Sequence, residues 1–421
     1  MNTAGFHCFA CLARQEAAFT GFICPACGGN LDLAYNHAAA RAPFLASLEK
    51  GCPGGGIRRY APMLPIRDVA HLPPLRIGGT PLYRADRLAA RGGLKQLWLK
   101  DDGLNPSASF KDRAGAVALA VARERGAKVI AGATTGNAGS SMACLAASVG
   151  QPCVIFVPEN APPAKLAQLL VFGATVLAVR GTYDDAFDLC TAVCRERGWF
   201  NRNTGSNPFT REGKKTVSYE IWEQLGRRAP DWISVSCGDG NIISGVWKGW
   251  RDLHALGLID RLPRLLCAQS TGSAAISRAV WTVKAEAPQP AWSAVRIEPV
   301  RATTLADSIS VDIPRDGLAA VRAVIESDGA AVTVSDEAIL DAIPEIAQHG
   351  GVFCEPAAAC AWAAARQAVA DDLIAPEETV VCLLTGNGLK DIASARKTVS
   401  DPLRVDPTLD AALHLLSIRG L

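Results

Sequence analysis

The chain has 421 residues, of which 49% are hydrophobic and 20% are charged, and its formal net charge is +2. This length suffices for two or three domains around a large hydrophobic core. The near balance of charges argues against a nucleic-acid-binding surface and against a membrane-surface protein, so we expect neither kind of partner.

The N-terminal residues show no basic stretch followed by an apolar run, which predicts no secretory signal and a cytoplasmic location. The cysteine usage agrees with that location. There are 14 cysteines, and most stand alone in apolar segments, as Cys144, Cys153 and Cys190 do. This pattern is typical of small buried hydrophobic side chains in a reducing compartment.

Four cysteines near the N-terminus form two CxxC pairs, Cys8 with Cys11 and Cys24 with Cys27, and twelve residues separate the pairs. This spacing brings four thiolates around one Zn²⁺ in a zinc ribbon. We therefore predict a zinc-ribbon-like module over residues 1–35. Its metal would be structural, because four cysteine ligands leave no open position for catalysis. The alternative is a vestigial ribbon that folds without metal.

Beyond the ribbon, residues 36–80 are rich in Pro and Gly, and we predict an arm that wraps over the surface. From residue 95 onward, short apolar runs alternate with helical patterns. That alternation predicts βαβ units, hence an α/β fold with mainly parallel sheets. The predicted strands are 97–100, 129–131, 154–157, 176–179, 232–235, 265–269, 331–334 and 380–384. The predicted helices are 112–125, 138–149, 163–172, 183–197, 215–225, 242–256, 317–327, 337–348, 356–370 and a terminal segment.

The segment 205–208, Gly-Ser-Asn-Pro, is the predicted hinge between two α/β domains. We expect a small domain over 105–205. The large domain would combine 36–104 with 206–421, and 281–316 within it is predicted to be irregular.

The stretch 105–113 joins a predicted strand to a predicted helix and opens with an Asn-Pro turn. Ser107 or Ser109 can cap the helix, and Asp112 suits its first turn. Lys111 is thereby predicted to lie at a helix N-terminus.

At that position the backbone N–H groups and the helix dipole disfavour a cation, so Lys111 should lose its proton more readily. A neutral amine can form a Schiff base with a carbonyl compound. The alternative is a surface lysine paired with Asp112 or Asp102.

Three Gly-rich loops follow strands and precede helices, at the edge of an α/β sheet where ligands bind. The loop 134–141 carries the amide of Asn137 and several hydroxyls that suit a carboxylate. The loop 236–242 offers successive N–H groups to a phosphate. The loop 384–391 places the neutral hydroxyl of Thr385 at a strand end. Taken singly, each loop is equally compatible with a helix cap or a tight turn.

Together these features suit pyridoxal phosphate. Its aldehyde needs an amine, its phosphate needs backbone donors, and its ring nitrogen needs a partner. The combination of Lys111 with a phosphate loop and Thr385 therefore predicts this cofactor.

Four stretches, at 109–113, 136–137, 212–216 and 385–391, resemble threonine synthase, a pyridoxal-phosphate enzyme of the tryptophan-synthase-β-like fold. The resemblance runs in order from about residue 79 to about residue 397. It implies fold type II, with two three-layer α/β domains built on mainly parallel twisted sheets, and a homodimer. It also implies that O-phosphohomoserine and water become threonine and phosphate.

The resemblance assigns roles to individual residues. Lys111 would be the Schiff-base lysine and the proton-transferring group. Asn137 would contact the pyridoxal 3-oxygen and Thr385 would face the ring nitrogen. The cofactor phosphate would bind Gly238, Asp239, Gly240, Asn241 and Ile242. Substrate contacts are predicted for Ser107, Ser109, Thr135, Arg211, Lys214 and Lys215.

The chain departs from the family pattern at several positions. Ser107 and Ala108 stand where the family usually has Thr and Gly. Arg211 is displaced by one position, which on an extended segment turns its side chain to the other face. Lys214 replaces glutamine, and Asp239 adds a negative charge beside a phosphate.

Two other functions remain open from the sequence. One is a paralogue that performs β-replacement on O-phosphoserine or a related anionic amino acid, as a cysteate synthase does. The other is a ribbon-bearing binding or scaffold protein that holds no cofactor. Glu355 begins a helix, which suits a cap, although family members place this segment close to the cofactor.

Overall fold

The structure is a computed structural model that describes residues 2–50, 55–134, 136–161, 163–286 and 290–421. Its N-terminal strands are β1 (Thr3–Cys8), β2 (Arg14–Gln15) and β3 (Leu31–Tyr35), in the antiparallel order β2-β1-β3. These strands carry the two CxxC pairs on their connecting turns.

The predicted surface arm is wrong for its first part. Residues His37–Lys50 form helix α1, and Gly56–Met63 and Val69–His71 form 3₁₀ helices. Ala40, Phe44 and Leu48 recur at helical spacing and are buried, so α1 packs one face against the core. Pro43 and the Gly-rich stretch beyond the helix obscured this periodicity in the sequence.

The following elements alternate as predicted. In chain order they are β4 (Leu82–Arg84), α2 (Asp86–Arg91), β5 (Gln96–Asp101), α3 (Lys111–Glu124), β6 (Ile130–Ala133), α4 (Asn137–Ala147), β7 (Cys153–Pro158), α5 (Pro163–Val171), β8 (Thr175–Val179), α6 (Tyr183–Arg197) and β9 (Phe200–Asn201). Strands β6 to β9 form a parallel sheet in the order β8-β7-β6-β9.

The second half returns to the larger sheet. Its elements are α7 (Phe209–Lys214), α8 (Thr216–Gln224), β10 (Trp232–Ser236), α9 (Asn241–Ala255), β11 (Arg264–Ser270), α10 (Ala275–Glu286), α11 (Gly317–Glu326), β12 (Ala330–Val334), α12 (Asp336–Gly350), α13 (Pro356–Ala370), β13 (Thr379–Leu384), α14 (Ile392–Arg396) and α15 (Leu409–Ile418). The sheet order is β12-β11-β10-β13-β5-β4, parallel except for β4.

This topology agrees with the predicted α/β architecture. The four-stranded sheet lies within the predicted small domain, and the six-stranded sheet draws its strands from both predicted parts of the large one. The domain limits themselves stay a prediction. In the described part of the chain, no helix is both long and apolar enough to cross a membrane.

Besides α1, helices α2, α7 and α10 were not predicted. Helix α10 places Ile276, Val280 and Val283 in the core at helical spacing, within a stretch whose following residues are irregular. Helix α7 occupies a segment that we expected to be extended. It crosses α3 so closely that a Cβ on Gly213 would overlap the carbonyl oxygen of Arg113, which accounts for the glycine between two charged residues.

The strand order explains where the site forms. Strands β10, β13 and β5 are neighbours and parallel, so the loops after them leave the same edge of the sheet. Those loops hold the predicted phosphate loop, Thr385 and Lys111. The convergence follows from the general position of ligands at the carboxyl ends of parallel strands.

Candidate active site

Lys111 is the first residue of α3, as its predicted place at a helix N-terminus requires. Its side chain lies on the floor of a cleft. Burial lowers the pKa of the amine, and the charge of Arg202 lowers it further, whereas Asp239 and Glu355 act in the opposite direction. The main cause is therefore desolvation, whereas the sequence argument had rested on the helix dipole.

The loop that carries Lys111 is held in place by its own hydrogen bonds. Ser107 donates both its N–H, at 2.7 Å, and its hydroxyl, at 2.6 Å, to the carboxylate of Asp112. The N–H of Phe110 donates to the carbonyl oxygen of Thr385 at 2.9 Å, and that of Asn387 donates to Ala108 at 3.1 Å. These bonds join the lysine loop to the loop after β13 and bring Lys111 beside Thr385.

Ala108 adopts a positive φ of 60°, which falls in the left-handed region. A Cβ in that region meets the following carbonyl oxygen, at a cost of about 1–2 kcal/mol. Glycine has no Cβ and would adopt this φ without that cost.

Replacing Ala108 by glycine is expected to raise the free energy of unfolding by about 0.5–1 kcal/mol, the relieved strain minus the extra chain entropy of glycine. Urea unfolding followed by circular dichroism measures this change. The same replacement at Ala118, which is buried within α3, is the matched control and should destabilise the protein. A loss of stability in Ala108→Gly would contradict the strain.

The loop 238–242 connects β10 to the N-terminus of α9. Gly240 has a φ of 87°, and a Cβ on Gly238 would lie 3.0 Å from the Cα of Ile309. Among the described residues, no hydrogen bond uses the N–H groups of Gly238, Asp239 or Gly240. Free N–H groups at a helix N-terminus are suited to bind a phosphate.

The side chains of this loop form hydrogen bonds with neighbouring segments. Asn241 donates to Asp316 at 2.7 Å and accepts a hydrogen bond from Lys214. Asp239 accepts the N–H of Arg315 at 3.3 Å, while its carbonyl oxygen accepts the N–H of Asp316 at 2.9 Å. Asp239 therefore ties the loop to residues 315–316, which gives a physical role to the acidic residue that the sequence left unexplained.

Asn137 begins α4 and reaches across the cleft. Its amide donates to the carboxylate of Glu355 at 2.8 and 3.1 Å. Glu355 precedes α13 and makes no side-chain cap there, so it faces the cleft instead of serving as the cap that we considered. Burial raises the pKa of Glu355, and the hydrogen bond from Asn137 opposes that shift.

These groups line one small cavity. It adjoins a wider cleft that shares Lys111, Asn137, Asp239 and Ser308 with it. The cavity is lined by Phe110, Lys111, Asn137, Ser236, Cys237, Gly238, Asp239, Gly240, Asn241, Ile242, Ser308, Ile309, Glu355, Ala357 and Thr385. All the residues predicted to bind the cofactor are therefore brought together.

The lining fits pyridoxal phosphate. Lys111 offers an amine that burial favours in its neutral form, and the loop 238–242 offers free N–H groups at a helix N-terminus. The hydroxyl of Ser236, at the end of β10, is buried without a partner among the described residues, so it can donate a hydrogen bond to a ligand oxygen. Thr385 follows the neighbouring parallel strand β13 and lines the same cavity with a neutral hydroxyl.

The residues predicted to bind substrate lie elsewhere, and we correct that assignment. Arg211 is buried in α7 and pairs with Asp316 at 2.7 Å and Asp32 at 3.1 Å. Lys215 pairs with Glu212 at 2.7 Å and also lies over the ring of Tyr35. Neither side chain lines the cleft, because on a helix each position turns by about 100° and these residues face the ribbon.

The remaining substrate predictions are also changed. Lys214 donates to Asn241 and so stands behind the phosphate loop. The hydroxyl of Ser107 is occupied by Asp112, and that of Ser109 is buried outside the cavity lining. Thr135 lies outside the described residues.

The sequence interpretation missed Arg202, whose side chain lines the wider cleft. Arg202 is 2% exposed and follows β9 directly, so it also lies at the carboxyl end of a parallel strand. That position was the available signal, but residues 201–204, which precede the predicted hinge at 205–208, were given no functional role.

The four ribbon cysteines fit one metal ion. Their Sγ atoms all lie within 4.8 Å of one another, with Cys8 and Cys27 3.5 Å apart and Cys11 and Cys24 3.6 Å apart. Tetrahedral Zn–S bonds require Sγ separations of about 3.8 Å. A Cβ on Gly29 would lie 3.1 Å from Cys8 Sγ, so glycine leaves room for the cluster.

We expect about one zinc ion per purified chain, and the replacement Cys24→Ser should remove it and lower the thermal midpoint, because a structural zinc site contributes directly to folding. Atomic absorption and calorimetry measure the two effects. Cys360→Ser, which changes a buried cysteine far along the chain, is the control and should retain the metal. Full zinc content in Cys24→Ser would exclude the site.

Comparison with known proteins identifies relatives over most of the chain. Residues 74–386 match the family described as pyridoxal-phosphate dependent enzyme. The threonine synthase of Methanosarcina acetivorans is 36% identical over 407 residues, which cover 96% of each chain. That of Methanocaldococcus jannaschii is 34% identical over 412 residues, covering 97% of this chain and 98% of the relative.

Solved structures show the same fold at lower identity. Threonine deaminase isoform 2 from Solanum lycopersicum superimposes with a TM-score of 0.64 at 20% identity, covering 76% of this chain and 87% of the other. Maize serine racemase gives a TM-score of 0.63 at 22% identity, covering 81% of this chain and 93% of the other. The predicted fold type is thereby confirmed.

Proposed function

The chain belongs to the family of pyridoxal-phosphate-dependent enzymes, and from this membership we propose that it converts O-phosphohomoserine and water to threonine and phosphate. The chemistry rests chiefly on one observation: the amine of Lys111 lies on the floor of a cavity that a phosphate loop and Thr385 also line. The substrate follows from relatives named threonine synthase that match nearly the whole chain.

Pyridoxal phosphate, when bound, supplies an electron sink for bonds at the substrate's α-carbon. Lys111 would hold the cofactor and afterwards move protons at its Nζ, since burial favours the neutral amine. The loop 238–242 would bind the cofactor phosphate. Thr385 would offer the ring nitrogen a hydroxyl without charge, and Asn137 would orient the ring through its amide.

The hydrogen bond between Asn137 and Glu355 positions the amide of Asn137. Asn137 and Glu355 form a hydrogen-bonded pair across the mouth of the cavity. Asn137 would offer its amide to the pyridoxal 3-oxygen, and the carboxylate of Glu355, 2.8 Å from that amide, would orient it. Glu355 is then a positioning residue for Asn137.

The alternative is β-replacement on O-phosphoserine or a related anionic amino acid. O-phosphoserine is shorter by one carbon than O-phosphohomoserine and carries the same phosphate. The positions of Arg211 and Lys215, which carboxylates neutralise, therefore do not distinguish the two substrates.

A substrate panel tests the two proposals. Purified holoenzyme receives O-phosphohomoserine, or O-phosphoserine with sulfite, and both phosphate release and amino-acid products are measured. We expect threonine from the first substrate. Phosphate release from O-phosphohomoserine without threonine would exclude the first proposal, and cysteate from O-phosphoserine would establish the second.

A further inference from the structure

Arg202 stands at the carboxyl edge of the four-stranded sheet. Its N–H donates to the carbonyl oxygen of Ala131 at 2.8 Å, which continues the pairing of β9 with β6 and fixes its backbone. From there its side chain lines the wider cleft together with Lys111 and Asp239. The guanidinium therefore lies in the same cleft as the reactive amine, on a rigid element.

The hydrogen bonds of Arg202 are incomplete. Nη1 donates to the hydroxyl of Thr204 at 3.3 Å. Nε and Nη2 are buried and have no partner among the described residues. Buried guanidinium nitrogens without partners are costly, so their native state normally includes a bound group.

Other buried arginines of the chain show the usual solution. Arg113 donates to both Asp102 and Glu220, and Arg211 donates to both Asp316 and Asp32. Arg202 differs from them because no carboxylate reaches its Nε or Nη2. Burial lowers its pKa to about 10, which leaves it charged at neutral pH, and Asp239 acts on it only as a distant counter-charge.

The two free nitrogens also share a geometry. Nε and Nη2 lie on one edge of the planar guanidinium, and parallel N–H groups on such an edge bind two oxygens of one anion. The hydroxyl of Ser308 and the amide of Asn137 line the same cleft and can complete a polar surface around that anion.

We propose that Arg202 holds the negatively charged distal group of the substrate, a phosphate ester, through Nε and Nη2. The inference rests on the proposed function in one respect, namely that this cleft receives a phosphorylated amino acid. It gives to Arg202 the role that the sequence had suggested for Arg211.

Kinetics of the holoenzyme test the role of Arg202. In Arg202→Gln we expect the KM for O-phosphohomoserine and the inhibition constant of inorganic phosphate each to rise about 100-fold, because two charge-assisted hydrogen bonds are lost. The change in kcat should be smaller. Arg202→Lys keeps the charge without the two-pronged edge, and should show an intermediate rise of about 10-fold.

Two comparisons separate this role from others. Arg84→Gln is the control, because Arg84 is exposed, paired with Asp86 and outside the cleft, and both constants should change less than about 3-fold. L-Threonine carries an α-carboxylate and no phosphate, so its binding, followed by the cofactor's absorbance, should be similar in Arg202→Gln and wild type. Equal weakening of threonine and phosphate would overturn the proposal.

The outcomes also distinguish this inference from the proposed reaction. If wild type forms no threonine, the proposed reaction is excluded, but the binding of inorganic phosphate to the holoenzyme still tests Arg202. Unchanged phosphate inhibition in Arg202→Gln, with threonine formed normally, would exclude Arg202 alone. If Arg202→Gln fails to retain the cofactor's absorbance, Arg202→Lys decides, and an unchanged phosphate constant there would overturn the inference.

Discussion

Lys111→Ala is expected to lower kcat/KM by about 10⁴-fold or more, because one change removes both the amine that holds the cofactor and the group that moves protons. The amine lies where the protein has excluded most water, which lowers its pKa and favours the neutral, nucleophilic form. The fold should persist, since no described residue relies on a hydrogen bond from Lys111 Nζ.

A measurement independent of turnover checks the same residue. Borohydride treatment of the wild-type holoenzyme should fix the visible chromophore onto a peptide that contains Lys111, and Lys111→Ala should show no such label. Lys128→Ala, which alters an exposed lysine beyond α3, is the control and should label as wild type does. A label of full intensity on another peptide of Lys111→Ala would assign the attachment elsewhere.

The labelled peptide must be identified because Lys214 also has a lowered pKa. Lys214 is fully buried, whereas Lys111 is half-buried, and desolvation lowers the pKa of Lys214 well below the usual value, with the charge of Lys111 as a further cause. Unlike Lys111, it does not line the cavity, because its amine donates to Asn241. Depressed basicity alone therefore does not identify the reactive lysine; position in the cleft decides.

The cofactor site could be predicted from the sequence because each of its parts is local. Lys111, the loop 238–242 and Thr385 follow strands of the six-stranded sheet, and parallel strands bring such loops to one edge. Asn137 follows β6, a strand of the four-stranded sheet, and also lies at the carboxyl end of a parallel strand. The strand order completes the explanation, since β10, β13 and β5 are adjacent.

The substrate side could not be predicted in the same way, because it depends on pairing between distant residues. Arg211 is occupied by Asp32, 179 positions earlier, and by Asp316, 105 positions later. Arg202 stands out because its Nε and Nη2 have no hydrogen-bond partner among the described residues. Neither property is visible in a local motif, and the assumption of an extended segment over α7 turned the charged residues to the wrong faces.

Arg113→Met is expected to destabilise the protein by about 3–5 kcal/mol, because it leaves two buried carboxylates without their main counter-charge. Arg113 donates to Asp102 at 2.6 and 2.9 Å and to Glu220 at 2.7 and 2.8 Å. Arg113 and Asp102 are wholly buried and Glu220 is 4% exposed. Only Lys100, 2.8 Å from Glu220, would remain as a cation.

Urea unfolding measures this loss, and Arg84→Met provides the control. The Arg84–Asp86 pair has a similar separation of 2.7 Å, but its side chains are 52% and 66% exposed, so its loss should cost less than about 1 kcal/mol. Equal costs for the two variants would show that the buried cluster contributes no more than a surface pair.

The pH dependence of the free energy of unfolding gives a second test, because the pKa of Glu220 should shift in opposite directions in wild type and in Arg113→Met. Burial raises the pKa of Glu220, but the charges of Arg113 and Lys100 outweigh it and hold that pKa well below its usual range. The ionised carboxylate therefore stabilises wild type above the unfolded pKa of about 4.3, and this contribution is lost as the pH falls toward the folded value. Without Arg113, burial dominates and the pKa should rise instead, so the folded variant takes up a proton at a higher pH. The stability deficit of Arg113→Met should then narrow between pH 7 and about pH 5, and a deficit that is constant over this range would mean that lost packing, not the unpaired charge, causes the instability.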